Sequence, residues 1–462
     1  MAKLRDARIP ALANEVATAY RESGRNLWLV GGWVRDALLG NMHTDLDFAT
    51  DARPDESLKI LRSWSKGKVW TTGIEFGTVG ARHGDSQIEV TTFRRESYSP
   101  DSRNPTVVFA DDLTTDLSRR DFTINAIALS LPEVEVVDPF GGLADLAAAR
   151  IRTPLSPQDA FTDDPLRMLR AVRFAATLGF RIDEEVIQAI TQMHDRLGIV
   201  SRERVRDEFS KLMMGKEVSA ALEVAVSTGL ADEFLPELPA LRLEQDPIHR
   251  HKDVFGHTLA VLDNVMAAEQ EPDLALRVGA LMHDIGKPRT RAITPKGVSF
   301  HHHEVVGADM TAARLRELRF PVKFIEEVKA LVYLHLRFHT YRLGWTDRAI
   351  RRYVRDAGPW LHKLNALVRS DCTTRNVAKA RMLAQRMDEL EERITALSET
   401  EELMRLRPTL DGTEVMRILG LTPGPKVGDA LDFLMEIRIE EGEIPKDEAE
   451  KRLNEWWVSR DG

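Results

Sequence analysis

Over roughly the first 150 residues, short apolar runs alternate with polar turns, at Leu27–Val30, Asp45–Ala49, Gln87–Phe93 and Val134–Asp138. Runs of that length bounded by turn formers predict strands, and the helical stretches between them make this section an α/β head. Strand signals nearly vanish further on. Apolar residues recur at helical spacing over Asp164–Leu178, Glu184–Arg196, Arg202–Met214 and Ser219–Thr228, and prolines punctuate the helices at Pro154–Pro157, Pro236–Pro239 and Pro423–Pro425. The expected fold class is therefore α+β: a head at 1–150, an all-α neck at 151–235, a helical body at 236–380 and a helical tail at 381–462.

Composition narrows this picture. A chain of 462 residues exceeds one core, and about 150 residues per domain implies three or four units. No apolar run approaches the roughly 20 residues that span a bilayer, and the N-terminus leads into no signal-peptide core, so a cytoplasmic protein without membrane contact is expected. The single cysteine, Cys372, excludes an intramolecular disulfide and a cysteine-based zinc site. A net charge of −9 argues against a polybasic nucleic-acid binder. Between Arg342 and Arg381, however, ten Lys/Arg face only Asp347, Asp356 and Asp371. Such a local basic surface suits a folded RNA met over a limited footprint, or an ordinary solvated helix face.

Three constellations carry chemistry in the first half. Leu27–Val30 runs into Gly31-Gly32, followed by Arg35-Asp36 and then Asp45-x-Asp47. A Gly-Gly turn lets the backbone approach a polyanion, and carboxylates at i, i+2 on a strand point to one face. Mg²⁺, a hard ion, takes such carboxylates together with substrate phosphates. Glu89, on the alternating strand Gln87–Phe93, could supply a third carboxylate or face solvent. The second constellation is Arg119-Arg120-Asp121-Phe-Thr-x-Asn125, in which the arginines can neutralise phosphates and Asp121 can accept from a ribose hydroxyl. It also fits a helix start capped by Asp121 or Thr123. The third, Asp163-Asp164-Pro-Leu-Arg167-x-x-Arg170-x-x-Arg173-Phe174, puts an acid and three bases close to one helix face. A carboxylate beside a guanidinium can read the Watson–Crick edge of cytosine or adenine and reject guanine and uracil; otherwise the pair is a surface salt bridge.

These motifs, with Asp138-Pro-Phe-Gly141-Gly142, follow one another in an order and spacing that resembles the class II tRNA nucleotidyltransferase and bacterial poly(A) polymerase family. The resemblance covers most of the chain and implies a polymerase-β-like nucleotidyltransferase head. It implies an enzyme that adds CMP, CMP and AMP from CTP and ATP to tRNA 3′ ends without a nucleic-acid template, with no role for DNA. On this reading Asp45, Asp47 and Glu89 are catalytic, with the two aspartates holding Mg²⁺. Gly31, Gly32 and Arg35 line the triphosphate, and Arg119, Arg120, Asp121 and Asn125 bind the nucleotide. Asp164 and Arg167 read the base, with Arg170 and Arg173 behind them. Asp163 stands where the family carries Glu. The polar stretch Arg94–Pro105 reads as a mobile loop and resembles the one that full CCA-adding enzymes retain and CC-adding enzymes shorten.

In the body, His257 and His283-Asp284-x-Gly286-Lys287, followed by His303, His335 and Asp371, resemble the HD phosphohydrolase family. That resemblance implies a divalent transition metal held by His257, His283, Asp284 and Asp371. His301, His302 and His303 cannot be ordered from sequence. In the tail, Gly424-Pro425 reads as a helix start able to present N–H groups to phosphate or as a plain connection, and Trp456 and Trp457 read as docking the last helix. The rival functions are a poly(A) polymerase of the same family, against which the acidic tail counts, and an HD phosphohydrolase whose head only binds nucleotide or RNA.

Overall fold

The computed structural model describes residues 9–41, 45–65, 67–84, 86–99, 102–110, 112–243, 253–295, 297–340, 345–374, 376–401, 403 and 406–460. The chain divides into two compact units, Met1–Pro239 and Ala240–Gly462. The first is built on a seven-stranded sheet of strands β1 (Leu27–Val30), β2 (Leu46–Thr50), β3 (Val69–Trp70), β4 (Thr78–His83), β5 (Ser86–Thr92), β8 (Ala128–Leu131) and β9 (Val136–Val137), in the order β3-β4-β5-β2-β1-β8-β9. β2 and β5 pair parallel and the other neighbours pair antiparallel.

Side chains alternate across this sheet. Leu29, Phe48 and Val90 pack under helices α1 (Ala11–Glu22), α2 (Gly32–Leu39) and α3 (Pro54–Ser65), against Val16, Tyr20, Trp33, Val34 and Leu61. On the other face Val30, Ala49 and Ala128 meet Phe93, Leu117 and Ala126. In β4, Gly80 lies under the Trp70 indole, where a Cβ would come within 2.1 Å of the ring.

The expectation of a mobile loop at Arg94–Pro105 is corrected. Residues Arg94–Ser99 (β6) and Ser102–Phe109 (β7) form an antiparallel two-stranded hairpin with a register shift between Ser97 and Ser99. Its backbone ladder needs no buried face, so the polar composition that suggested a loop is compatible with strand. Pro100 and Asp101 lie outside the described residues.

Behind the sheet come helices α4 (Leu113–Ser118), α5 (Gly142–Ala147), α6 (Pro157–Asp163) and α7 (Leu166–Leu178), the last packed by α8 (Arg202–Met213) and α9 (Val218–Ser227). Among the described residues the second unit is helical apart from the short hairpin of Arg291–Thr294 with Gly297–Phe300. Its final helices share a core of Val415, Leu434 and Leu453, and Trp456 stacks on Phe433 with centroids 4.7 Å apart. Among the described residues no helix is long and apolar enough to cross a membrane.

Six of the ten cations in the basic stretch are paired within the unit. Arg348 pairs with Glu440, Arg351 with Glu401, Arg352 and Arg355 with Glu436, Lys363 with Asp273 and Glu327, and Arg369 with Asp388 and Glu391. The acids come from distant segments, so a count over 342–381 could not see them. Arg342 and Arg375 lie outside the described residues.

Candidate active site

β1 ends at Gly31, whose φ of 76° strains any side chain. A Cβ there would sit 3.2 Å from Arg120 Nη1 and 3.7 Å from Asp47 Oδ2. A bare backbone turn, a guanidinium and a carboxylate therefore converge. At Gly32 a Cβ would lie 3.6 Å from Arg35 Nη2.

Asp45 and Asp47 are exposed while Leu46 and Phe48 are buried, the alternation that puts both carboxylates on one face. Strand register sets Asp47 beside Val30 on one side and Glu89 on the other. Burial pushes the Glu89 carboxyl up, and the charges on Asp47 and Asp45 push it further. Burial also raises Asp47, aided by Asp45 and opposed by Arg120. Three carboxylates beside one another, two of them with their ionisation opposed and none accompanied by a nitrogen or sulfur donor, fit a hard divalent cation.

Arg119 and Arg120 lean on one buried carboxylate, Asp116. Arg119 donates to its Oδ1 from Nε and Nη2 at 3.0 and 2.8 Å, and Arg120 Nη2 reaches Oδ2 at 3.4 Å. Burial would raise Asp116, but the two guanidiniums hold it below the usual carboxylate range. The turn that follows is clamped by the Asp138–Gly142 motif. Asp138 accepts from the Gly142 and Leu143 amides at 2.7 and 2.9 Å, capping α5, and Asp145 on that helix accepts from Thr123 Oγ1 at 2.6 Å.

Several expected nucleotide ligands are engaged within the protein. Asp121 Oδ1 accepts from Asn125 Nδ2 at 2.9 Å and Oδ2 from Arg170 Nε at 2.9 Å. Burial opposes its charge, yet Arg170 and Asn125 hold it well below the usual range. Arg170 Nη1 and Arg173 Nε also bind Glu208, at 3.2 and 2.5 Å. Arg170 and Arg173 are thus tied into a charge lattice with Asp121 and Glu208. Arg35 donates to Asp36 and, at 2.8 Å, to Asn125 Oδ1. The guanidinium carbons of Arg35 and Arg173 lie 5.0 and 3.7 Å from the Phe174 ring centroid.

Asp164 and Arg167 are not joined as a surface salt bridge. Asp164 precedes α7 in extended conformation, its Oδ1 accepting from the Leu166 amide at 3.1 Å and its Oδ2 from Arg204 Nη2 at 2.7 Å. Arg167 is buried and donates to the Arg119 carbonyl, which ties the helix to the two-arginine turn. Sequence reasoning missed Glu208 and Arg204. Glu208 did leave a trace: with Val205, Phe209 and Leu212 it falls at i, i+3, i+4, i+7, inside the buried stripe of α8.

In the second unit the expected HD residues come together. His257 Nε2 lies 3.0 Å from Asp371 Oδ1 and 3.5 Å from Asp284 Oδ2, and His283 Nε2 lies 3.2 Å from Asp284 Oδ2. Of the three consecutive histidines, His303 is buried and turned inward, its Nε2 3.3 Å from Asp284 Oδ1, while His301 and His302 are exposed. His283, His303 and His335 each use Nδ1 on a carbonyl three residues upstream, of Ala280, Phe300 and Val332. Their Nε2 atoms are buried, those of His283 and His303 beside the Asp284 carboxylate and that of His335 without a hydrogen-bond partner. Two three-donor groups share Asp284, namely His257, His283, Asp284 and Asp284, His303, His335, with donor atoms in each within 4.8 Å of one another. Imidazoles oriented through Nδ1, with a carboxylate shared between them, suit a transition metal.

Three family models match the chain: "Poly A polymerase head domain" over residues 27–152, "Probable RNA and SrmB- binding site of polymerase A" over 179–241 and "HD domain" over 254–399. An A-adding tRNA nucleotidyltransferase of Deinococcus radiodurans is 35% identical, covering 89% of this chain and 91% of that protein. A CC-adding tRNA nucleotidyltransferase of Thermus thermophilus is 31% identical over 94% of each. The crystal structure of the Bacillus stearothermophilus CCA-adding enzyme in complex with CTP matches with a TM-score of 0.67 at 27% identity, covering 97% of this chain and 98% of that one.

Proposed function

The chain belongs to the tRNA nucleotidyltransferase and poly(A) polymerase family, and from that premise we propose that it is a CCA-adding enzyme, transferring CMP twice and AMP once from CTP and ATP to tRNA 3′ ends in the cytoplasm. The observation that carries this is the meeting of the Gly31 backbone, Arg120 and Asp47 at one point. A nucleoside triphosphate needs all three there: an unobstructed backbone, a counter-charge and a metal-holding carboxylate.

In this reading Asp45, Asp47 and Glu89 hold Mg²⁺. Bound there, the metal lowers the pKa of the attacking 3′-hydroxyl and offsets charge on the departing pyrophosphate. Arg120 and the Gly31-Gly32 turn receive the triphosphate, with Arg119 and Arg120 oriented by Asp116. Asp164 and Arg167 read the base edge, the carboxylate accepting from the exocyclic amine that cytosine and adenine share. Asp121, Asn125, Arg170, Arg173 and Glu208 act behind them, keeping α7 in register with the two-arginine turn. The stretch Arg94–Pro105, retained in this sequence, favours full addition over CC addition.

Relatives named A-adding and CC-adding make the extent of addition the point to test. Purified protein is incubated with labelled CTP or ATP and tRNA ending before the first C, after one C or after two. Incorporation of C, C and A in turn is the expected result. Repeated ATP use on unrelated RNAs would mean a poly(A) polymerase, and a single active arm would mean a partial-addition enzyme.

A second reading has its own support in the two three-donor groups that share Asp284. We propose that His257, His283, Asp284, His303, His335 and Asp371 hold one or two divalent transition metals. Such ions act as Lewis acids toward phosphoesters.

A further inference from the structure

Between the two-arginine turn and the segment before α7 lies a cleft of about 300 Å³. Four guanidiniums line it, from Arg95, Arg119, Arg120 and Arg167. Its apolar lining, by contrast, comes from one short segment: Pro154, Leu155 and Ala160.

An exposed leucine is by itself ordinary. Leu155, 54% exposed, is held in place from both sides. Thr153 Oγ1 donates to the Leu155 carbonyl at 2.6 Å, and Ser156 Oγ accepts from the Asp159 amide at 3.1 Å, capping α6. An aliphatic side chain is thereby fixed at the tip of a turn, in a cleft otherwise lined by cations, hydroxyls and two acids, Asp159 and Asp163.

A bare anion would need only the guanidiniums. A nucleotide has two apolar ring faces as well as its phosphates and polar edge, and it matches both kinds of wall. The carboxylates of Asp159 and Asp163 lie on the same segment as the leucine and repel phosphate from it, so the ring side of a nucleotide goes to Leu155 and its anionic side to the arginines. We propose that Leu155, flanked by Pro154, is the platform for a nucleobase face in this cleft. This rests on the nucleotidyl-transfer reading above. The base is that of the incoming nucleotide or that of the RNA 3′-terminal residue, which share this chemistry.

Steady-state kinetics of the full chain separate the two. CTP is varied at saturating tRNA and tRNA at saturating CTP, for wild type, Leu155→Ala, Leu155→Asp and Leu155→Phe. One KM should rise about fivefold in the alanine variant and further in the aspartate variant, as expected for losing part of one leucine's apolar contact. Phenylalanine, which offers a larger flat face, should return it to within about twofold of wild type. A raised nucleotide KM places the incoming base on Leu155; a raised tRNA KM places the RNA terminus there. Both KM values unchanged within twofold in the alanine and aspartate variants would overturn the platform. If wild type incorporates no nucleotide, the functional reading fails first. Equilibrium binding of CTP and of a short RNA to wild type and Leu155→Asp then decides the platform, with equal affinities overturning it.

Discussion

In the first unit Asp47 and Glu89 stand on neighbouring strands with Asp45 just before the first, where Asp45 raises Asp47 and both raise Glu89, and the sheet holds them there against their repulsion. In the second unit Asp284 is ringed by His257, His283 and His303 and bound by Lys287 Nζ at 2.5 Å. Burial opposes its charge, but His283, His303 and Lys287 hold its carboxyl well below the ordinary value. One cluster sets three carboxylates against the single nearby Arg120 at an open strand face; the other is buried, with its acids matched by histidines and Lys287. The first suits a hard cation that arrives with substrate phosphates to complete its shell. The second has enough nitrogen and oxygen donors to hold a metal without substrate.

The largest expected effect tests the first half of this contrast. Asp47→Ala should lower kcat for both CMP and AMP addition by at least about a thousandfold, since it removes a metal ligand and the transition-state charge it supports. Affinity for tRNA, read by filter binding, should stay within about twofold. Retention of a tenth of normal turnover would take Asp47 out of the catalytic role. Next come His283→Ala and Asp284→Ala, which should weaken transition-metal retention on the order of a hundredfold. Metal analysis after dialysis reads this directly, and nucleotide addition should be unchanged within twofold. Unaltered metal content in both variants would make the cluster structural, and loss of addition would mean the two centres are not independent.

How much of this could be read from the chain differs between the two clusters for a physical reason. Asp45 sits just before β2 and Asp47 within it, so their common face follows from a period of two, and β1 was legible at its observed boundaries. The HD donors come from separate helices, and only packing shows that His303 turns inward while its two neighbours face solvent. The hairpin was misread because strands outside a packed sheet lose the apolar alternation that marks them. The partners of Asp164 and of Arg170 were hidden for a related cause. Arg204 and Glu208 belong to a helix some 40 residues away, and tertiary packing alone brings them to the site.

The contrast is not absolute, because the first unit also balances charge where no ligand is due. Asp121, bound by Arg170 and Asn125, tests this. Asp121→Asn should cost about 3 kcal/mol of stability at pH 7, the scale for breaking a buried ion pair. The folded carboxyl lies well below the unfolded value of about 3.9, so the contribution is fully present above that value and is lost as pH falls toward the folded one. Between pH 7 and pH 3 the difference between wild type and variant should shrink by about 1 kcal/mol in urea titrations. A difference that stays constant with pH would mean that Asp121 is not ionised in the folded protein.

The smallest effect is expected at Arg352, in the stretch that looked basic from sequence. Its guanidinium pairs with Glu436 at 2.5 Å, with side chains 35% and 48% exposed. An exposed pair of this kind contributes under about 1 kcal/mol, so Arg352→Gln should barely move the unfolding midpoint. It should also leave tRNA affinity within about twofold at any salt concentration. A phosphate contact would behave otherwise: the variant would bind less tightly, and the slope of log affinity against log salt would fall by about one. Observing that slope change would show that Glu436 yields Arg352 to RNA. The charges of the second unit would then be held in reserve, as those of the first are, and the two halves of the molecule would differ less than their ion pairs indicate.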